Sequence, residues 1–449
     1  MTQGAPNGGF SGRVLVVFVT RILAAGIGTL NALLFARLLG PEIKGDYYLI
    51  LLLPNTAMVL VQLGLPSALS FYAARGRTAR ILRKTLVIAA VLSAIAGLVV
   101  ATLLPALRET LLRGIDPALV VAGMLVMPAL LLRTLASALV VALKAVRWYA
   151  AAMLAESIAA TILILVLVGL FDLGIVGALA MWAATSLLGT IALWIGAGRA
   201  ARRTAPSGEA TYGQLLRYGL PLYPASLTSF FSSRADVFLI AAILVEASAA
   251  LGYYTMAVTL AEMATYLPSA VSSVFLPHVA SAAREDADRH VTTVARGTIL
   301  LTGITALLLA PAGTLLIALV LPAFAPALPA LYVLLPAVVS LAIARVVGEY
   351  VSGIGLTGRT SAAMVLGFSV NLVANVILIP QLGIVGAAAA SLLSYTTTAV
   401  AITLIASRLA GAPLRAFWVP GPSDARFIAG TVQAIFHRVL ARRRATVPR

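Results

Sequence analysis

The sequence has no cysteine, which excludes disulfides, thiolate catalysis and cysteine-held metal centres. Its three histidines, His278, His290 and His437, are too scattered along the chain to suggest a metal site. No Gly-x-x-x-x-Gly-Lys-Ser/Thr loop occurs, so there is no P-loop for a nucleotide. Charge is scarce too: 10% of the 449 residues are Asp, Glu, Lys or Arg, against 61% hydrophobic. That balance excludes a soluble domain. What the chain does have is apolar runs of about 20 residues or more, the length that spans a bilayer as a helix, repeated from end to end between short polar joints.

The chain therefore reads as an all-α integral membrane protein of about twelve transmembrane helices. The expected spans lie at about 13–39, 47–73, 82–106, 118–143, 148–170, 174–198, 218–244, 252–280, 293–321, 328–356, 361–380 and 383–407. The first run is full-length and contains Arg21, which marks an uncleaved first span rather than a signal peptide. The net charge of +17 follows topology. With both termini cytoplasmic, the cytoplasmic joints hold Arg75, Arg77, Arg80, Arg83, Lys84, Lys144, Arg147, Arg199, Arg202, Arg203, Arg217, Arg284, Arg289, Arg296 and Arg359. The opposite joints hold only Arg37, Lys44, Arg108 and Arg113. This is the positive-inside asymmetry, so the partner implied by the basic excess is the lipid bilayer and no nucleic acid.

The hexapeptide LGIVGA occurs at Leu173–Ala178 and again at Leu382–Ala387, 209 residues on. Other pairs recur near that offset: Gly45 of KGDYY with Gly252 of LGYYT at 207, Arg133 with Arg345 at 212, and Arg21 with Arg234 at 213. The chain thus divides into an N-terminal six-helix lobe (1–201), a small and polar cytoplasmic linker (202–213), a C-terminal six-helix lobe (214–407) and a basic tail (408–449). An even number of spans per repeat gives both lobes one orientation, around a central cavity, as in parallel-repeat transporters. In this reading LGIVGA is the tight turn entering the last helix of each lobe, its glycines permitting close helix approach.

Eight ionisable residues fall inside spans: Arg21, Arg133, Glu156, Arg234, Asp236, Glu262, Arg345 and Glu349. Each ion at mid-bilayer costs about 2.5–3.5 kcal/mol on the lenient scale, so they must face water or one another. Arg345 and Glu349, four apart, can pair along one helix. Arg234 and Asp236, two apart, face different ways, and Arg21 is close enough to the cytoplasm to snorkel. Four arginines balanced by four acids fit a structural network. Arginines recurring in both lobes fit a bidentate grip on phosphate oxygens, with Glu156, Asp236, Glu262 and Glu349 as coupling or pairing acids. Pro54 and Pro66 in span two, with Pro268 and Pro277 in span eight, are expected to interrupt matching helices, either as a gate or as static kinks.

The segment from Phe35 to Arg75, with its Arg-Leu-Leu-Gly-Pro-Glu-x-x-Gly-x-Tyr run at Arg37–Tyr47, resembles bacterial polysaccharide flippases. These form the oligosaccharide-lipid branch of the multidrug/oligosaccharidyl-lipid/polysaccharide exporter superfamily. Gly252–Tyr254 and the Pro-x-x-Gly-x-x-Gly-Ala turn from Pro380 to Ala387 match the second lobe of that family. The resemblance covers about residues 10–410 and implies two six-helix bundles in a bacterial cytoplasmic membrane. It also implies flipping of polyprenyl-pyrophosphate-linked oligosaccharide to the outer leaflet by alternating access, for cell-surface polysaccharide biosynthesis. The partners it implies are that lipid-linked oligosaccharide and the polymerase or glycosyltransferases of the pathway. A related lipid II flippase group holds cavity arginines for pyrophosphate; here Arg21, Arg133, Arg234 and Arg345 are the candidates.

No catalytic residue, metal or organic cofactor is assigned. The membrane potential, or H+ or Na+ acting through Glu156, Asp236 or Glu262, is the driving force to be expected. Two other transport readings stay open: a cation-coupled multidrug exporter, against which four arginines count, and a lipid II flippase, against which twelve spans rather than fourteen count. An integral polymerase or glycosyltransferase would need a large catalytic loop, and every joint here is short. In the tail, Phe427, Ile428, Val432, Ile435, Val439 and Leu440 precede ARRR. That spacing fits a basic amphipathic helix on the anionic leaflet, and equally a charged end that sets topology.

Overall fold

A computed structural model describes residues 8–112, 114–204, 207–281 and 284–421. Helices account for nearly all of them, and no strand occurs among the described residues. This is what lipid demands, because a helix satisfies its backbone polar groups within the segment. In order they are α1 Gly8–Val61, α2 Leu65–Ala74, α3 Ile81–Thr110, α4 Pro117–Met124, α5 Met127–Ala142, α6 Val146–Leu163, α7 Gly174–Arg203 and α8 Tyr212–Gly219. There follow α9 Tyr223–Ser232, α10 Ala235–Ile243, α11 Ala247–Ser281, α12 Arg284–Val320, α13 Leu328–Gly353, α14 Thr357–Leu382, α15 Ile384–Ala410 and the short α16 Arg415–Trp418. A π-helical turn, Ile164–Leu170, extends α6.

Every expected span falls on helix. By length and apolarity alone, nine segments among the described residues qualify as spans, or ten if Ser226–Ser232 and Ala235–Ile243, which meet at 51°, count as one. One of the nine, Leu23–Val61, contains a break: Gly40 sits at φ 74°, ψ 178° just before Pro41. A residue before proline is pushed out of the helical region, so α1 holds the first expected span and the start of the second. Span two resumes as α2 after Leu63 and Gly64, both at positive φ.

The prolines behave differently from expectation. Pro66 stands at the start of α2, where its missing N–H is harmless, but Pro54 lies inside α1 without breaking it. α11 likewise runs on through Pro268 and Pro277. The matched interruption expected in both lobes is therefore present only in span two.

The two LGIVGA copies occupy the same structural position. Gly174 (φ 51°) opens α7, and Gly383 (φ 57°) joins α14 to α15. The second glycines pack against the preceding helix: a Cβ on Gly177 would lie 3.0 Å from the Leu167 carbonyl oxygen, and one on Gly386 only 2.2 Å from that of Leu378. Both turns are glycine turns of close approach, as the repeat implies.

The chain separates into two compact units. The first runs to Met256 and includes Ile317–Pro326; the second comprises Ala257–Leu316 and the chain from Ala327 on. The core of the first unit joins Leu69 of α2, Leu131, Leu135 and Leu139 of α5, Leu193 of α7 and Leu215 of α8. The core of the second joins Val291 and Ala295 of α12 to Ile343, Val347 and Tyr350 of α13 and to Ile402 of α15. Large apolar side chains such as Leu98, Leu307 and Leu319 point outward, as lipid-facing positions require.

Past α15 the chain turns at Gly411 (φ 63°) and folds back, so that Phe417 of α16 is fully buried in the second core. Arg296 of α12 donates to the Ala416 carbonyl at 3.2 Å and the Trp418 indole to Thr403 at 3.2 Å. The expected amphipathic segment at 427–440 lies outside the described residues. Phe417→Ala should cost about 3 kcal/mol or more. Thermal unfolding in detergent measures this, and an unchanged melting temperature would show that α16 is not part of the core.

Candidate functional site

In the first unit, α5 and α6 place Arg133 and Glu156 side by side. The Arg133 guanidinium meets Glu156 Oε2 at 2.5 Å, and Glu156 Oε1 is buried without a hydrogen-bond partner among the described residues. The pair borders a cavity of about 240 Å³ that is also lined by Asn55, Thr134, Ser137 and Tyr149. Thr134 donates to the Leu130 carbonyl, Ser137 to that of Thr134 and Asn55 to that of Leu51. The donors of those two hydroxyls are thus committed within their own helices, while their oxygens keep acceptor capacity.

The carboxylate's place is set from α7. A Cβ on Gly189 would fall 1.3 Å from Glu156 Oε1, so only glycine leaves room for this acid. Nothing in the sequence around Gly189 marks that role.

Arg234 stands at the break between α9 and α10, with Asp236 in the first turn of α10. They do not form a pair with each other. Arg234 lies over the Tyr48 ring, 5.5 Å from its centroid, a cation–π contact. Asp236 accepts hydrogen bonds from the Tyr254 hydroxyl and, at 2.9 Å, from the Val237 backbone N–H. Both tyrosines belong to the repeated KGDYY and LGYYT elements.

Those elements cross each other. A Cβ on Gly45 would lie 1.7 Å from the Ser248 carbonyl oxygen, and one on Gly252 2.0 Å from that of Pro41. Gly45 and Gly252 are 207 residues apart, and so are Pro41 and Ser248. Each repeat therefore presents its glycine to the backbone of the other, the reciprocal contact a two-fold axis generates. The Ser248 hydroxyl also donates to Asp46.

Sequence reasoning missed Lys44, which counts there as a basic residue of an exterior joint. It is buried, and its ammonium donates to Thr255 Oγ1 (3.2 Å) and to the Gly252 carbonyl (3.5 Å), with the Phe324 ring at 5.5 Å. The glycine crossing brings those groups onto it. The only sequence signal is that Lys44 lies inside the Arg37–Tyr47 run. Arg37, from the same run, donates to the Val320 carbonyl.

In the second unit Arg345 is exposed and Glu349, a turn later on α13, is half-buried, with its Oε2 lacking a hydrogen bond among the described residues. Glu262 of α11 is exposed. Arg21 is part of α1, but its side chain lies outside the described residues. No cluster of metal-ligating side chains occurs among the described residues.

The linker between α7 and α8 is clipped to the joint between α2 and α3. Ser207 N–H donates to the Gly76 carbonyl (2.9 Å) and Ala79 N–H to that of Gly208 (3.2 Å). Lys84 donates to the Ala210 carbonyl and pairs with Glu209 at 2.8 Å. The Lys84 ammonium holds the Glu209 carboxyl below its ordinary range. A lowered carboxylate contributes above its unfolded value, about 4.3, and fades as pH falls through the folded one. The clip is thus at full strength at neutral pH.

The polysaccharide biosynthesis protein family matches residues 13–283. Among solved structures, the chain is similar to a lipid II flippase, MurJ, in an inward closed conformation, over 95% of this chain and 100% of that one (TM-score 0.67, 13% identity). It is also similar to an inward-facing multidrug resistance MATE family transporter of the MOP superfamily, over 90% and 100% (TM-score 0.62, 16% identity). A third likeness is to a mutant form of the Vibrio cholerae MATE transporter VcmN, over 90% and 97% (TM-score 0.56, 17% identity). At such identities the likeness is one of fold. No curated protein sequence matches the chain.

Two outcomes follow from the geometry. Gly45→Ala and Gly252→Ala should each destabilise by about 1–3 kcal/mol, since backbone carbonyls cannot move aside as side chains do. Both glycines serve one reciprocal contact, so the double variant should lose less than the sum; a strictly additive melting-temperature loss in detergent would refute the shared contact. Glu209→Gln should speed tryptic cleavage after Arg203 at pH 8, and an unchanged rate would show that the ion pair does not hold the linker.

Proposed function

The chain belongs to the polysaccharide biosynthesis protein family, and on that premise we propose that it flips polyprenyl-pyrophosphate-linked oligosaccharide from the cytoplasmic to the outer leaflet. Its fold is that of MOP-superfamily flippases and transporters, and it is a multi-pass membrane protein. The charge asymmetry of its joints supports a bacterial cytoplasmic membrane with both termini inside. Glycosyltransferases that build the lipid-linked unit and a polymerase that consumes it are the partner classes this reading entails. The two six-helix lobes, 1–201 and 214–407, alternate access around the substrate.

The observation that carries this reading is the Arg133–Glu156 pair beside a cavity of mixed polar and apolar lining. A guanidinium binds phosphate oxygens in the same bidentate geometry it offers a carboxylate. The diphosphate of the substrate competes with Glu156 for Arg133. The displaced carboxylate, confined against Gly189, is then an unpaired buried charge, which is strongly unfavourable. Taking up a proton relieves it, so H+ is the coupling ion of this scheme. Arg21, Arg234 and Arg345 are further candidates for the headgroup, with Asp236, Glu262 and Glu349 as pairing acids. A cation-coupled drug exporter needs an acid free to meet its cargo, and Glu156 is already held by an arginine.

Translocation of lipid-linked oligosaccharide in proteoliposomes tests this. Arg133→Ala should lose at least about tenfold, the scale for truncating a buried charge contact, and Arg345→Ala should also fall. Glu156→Gln should still bind substrate but lose acceleration by a proton gradient. Normal translocation by folded Arg133→Ala and Arg345→Ala would overturn the charge-grip mechanism, and efflux of cationic drugs in its place would favour the exporter.

A further inference from the structure

We propose that a groove at the cytoplasmic end of α2 seats one isoprenoid chain, with its diphosphate on Arg75 and Arg77, as the station the substrate occupies before it reaches Arg133. This rests on the flippase reading above and adds a binding site to it.

The groove is an open one of about 530 Å³ between α2, α5 and α8. Its walls are Pro66, Ser67 and Phe71 from α2, Ala138 and Val141 from α5, and Tyr218 from α8. From Pro66 to Ala74 it follows about 12 Å of helix. The Ser70 hydroxyl is committed to the Ala138 carbonyl, which leaves Ser67 and Tyr218 as the other hydroxyl-bearing residues of a mostly apolar lining. Hydrocarbon suits such a lining better than a sugar, whose many hydroxyls would find few partners on it.

One end of the groove is cationic. Phe71 stacks on Tyr218, ring centroids 4.1 Å apart, and carries the Arg75 guanidinium 3.7 Å from its own centroid. Arg77 lies 5.6 Å from the centroid of Tyr72. Its guanidinium also donates to Gln214 at 3.2 Å. Arg75 is exposed and forms no ion pair among the described residues, and the acid nearest in the linker, Glu209, is engaged by Lys84. The Arg75 backbone is pinned through its carbonyl, which accepts from Ser207 Oγ at 3.1 Å. Aromatic stacking orients the guanidinium and leaves its N–H edge open to an anion.

A single groove ending in two guanidiniums fits a lipid with one chain and two phosphates. A bulk phospholipid has two chains and one phosphate. Basic sites between helices at the cytoplasmic surface are a general means of holding anionic lipid headgroups.

The test uses the full chain in phosphatidylcholine nanodiscs with geranylgeranyl diphosphate bearing a diazirine, its crosslinks mapped by mass spectrometry. Crosslinks are expected within residues 66–74 and 138–142. Arg75→Gln, which touches no core, should reduce them about tenfold, the scale of one charged contact, and Ala138→Phe, which fills the groove, should reduce them at least as much. Crosslinks that ignore both substitutions, or that excess phosphatidylglycerol competes away as well as unlabelled diphosphate does, would overturn the proposal. Groove crosslinking that persists in Arg133→Gln, alongside lost translocation in Arg133→Ala, separates this site from the Arg133 pocket.

Discussion

A guanidinium within hydrocarbon is stable only while an anion or water stands beside it. That constraint governs the Arg133–Glu156 pair and much of what surrounds it. α5 and α6 must be rotated so that the two side chains converge, and α7 must offer a glycine where the carboxylate lies. The neighbouring polar side chains border a cavity and not a packed seam. A purely structural ion pair would be better buried on all sides with every oxygen satisfied. Here one carboxylate oxygen is buried against Gly189 with no hydrogen-bond partner among the described residues, so the pair leaves one acceptor unsatisfied.

Duplication supplies the second constraint. The reciprocal approach of Gly45 to Ser248 and Gly252 to Pro41 joins two copies of one local motif through their backbones. Backbone-to-backbone contact leaves no slack for a side chain to take up. It also explains why the same run buries Lys44, whose ammonium is satisfied by a hydroxyl, a carbonyl and a ring in place of a carboxylate. Cations in this chain are thus managed in three ways: by an acid at Arg133, by aromatic faces at Arg234 and Arg75, and by neutral oxygens at Lys44.

Features that depend on local sequence were legible before any coordinates. Hydrophobic length placed every expected span on helix, nine or ten segments qualifying as membrane spans among the described residues, and the repeated LGIVGA identified two turns with the same glycine geometry. Arg234 and Asp236 face apart as two-residue spacing requires. What depends on the rotation of one helix against another was not legible. Arg133 and Glu156 are 23 residues apart on different helices, and no periodicity states that they meet. Gly189 looks like any small residue of an apolar helix. Pro54 was misleading for a related reason, since lipid-embedded helices tolerate proline when neighbours re-satisfy the backbone.

The size of the cavity at Arg133 limits what that arginine can hold. A pocket of about 240 Å³, walled by polar side chains and by Met58, Leu130, Met153 and Leu193, has room for a diphosphate and a few waters but not for an oligosaccharide. On the proposed function, a carrier that grips its cargo at Arg133 grips the part every polyprenyl-linked sugar has in common, and gains its affinity there through charge. In that scheme the sugar lies in more open, hydrated space, where its contacts are traded against water at little net gain. Selectivity among sugars would then be weak at the Arg133 pocket and set by whatever lines that wider space, while the diphosphate and its lipid remain the invariant handle.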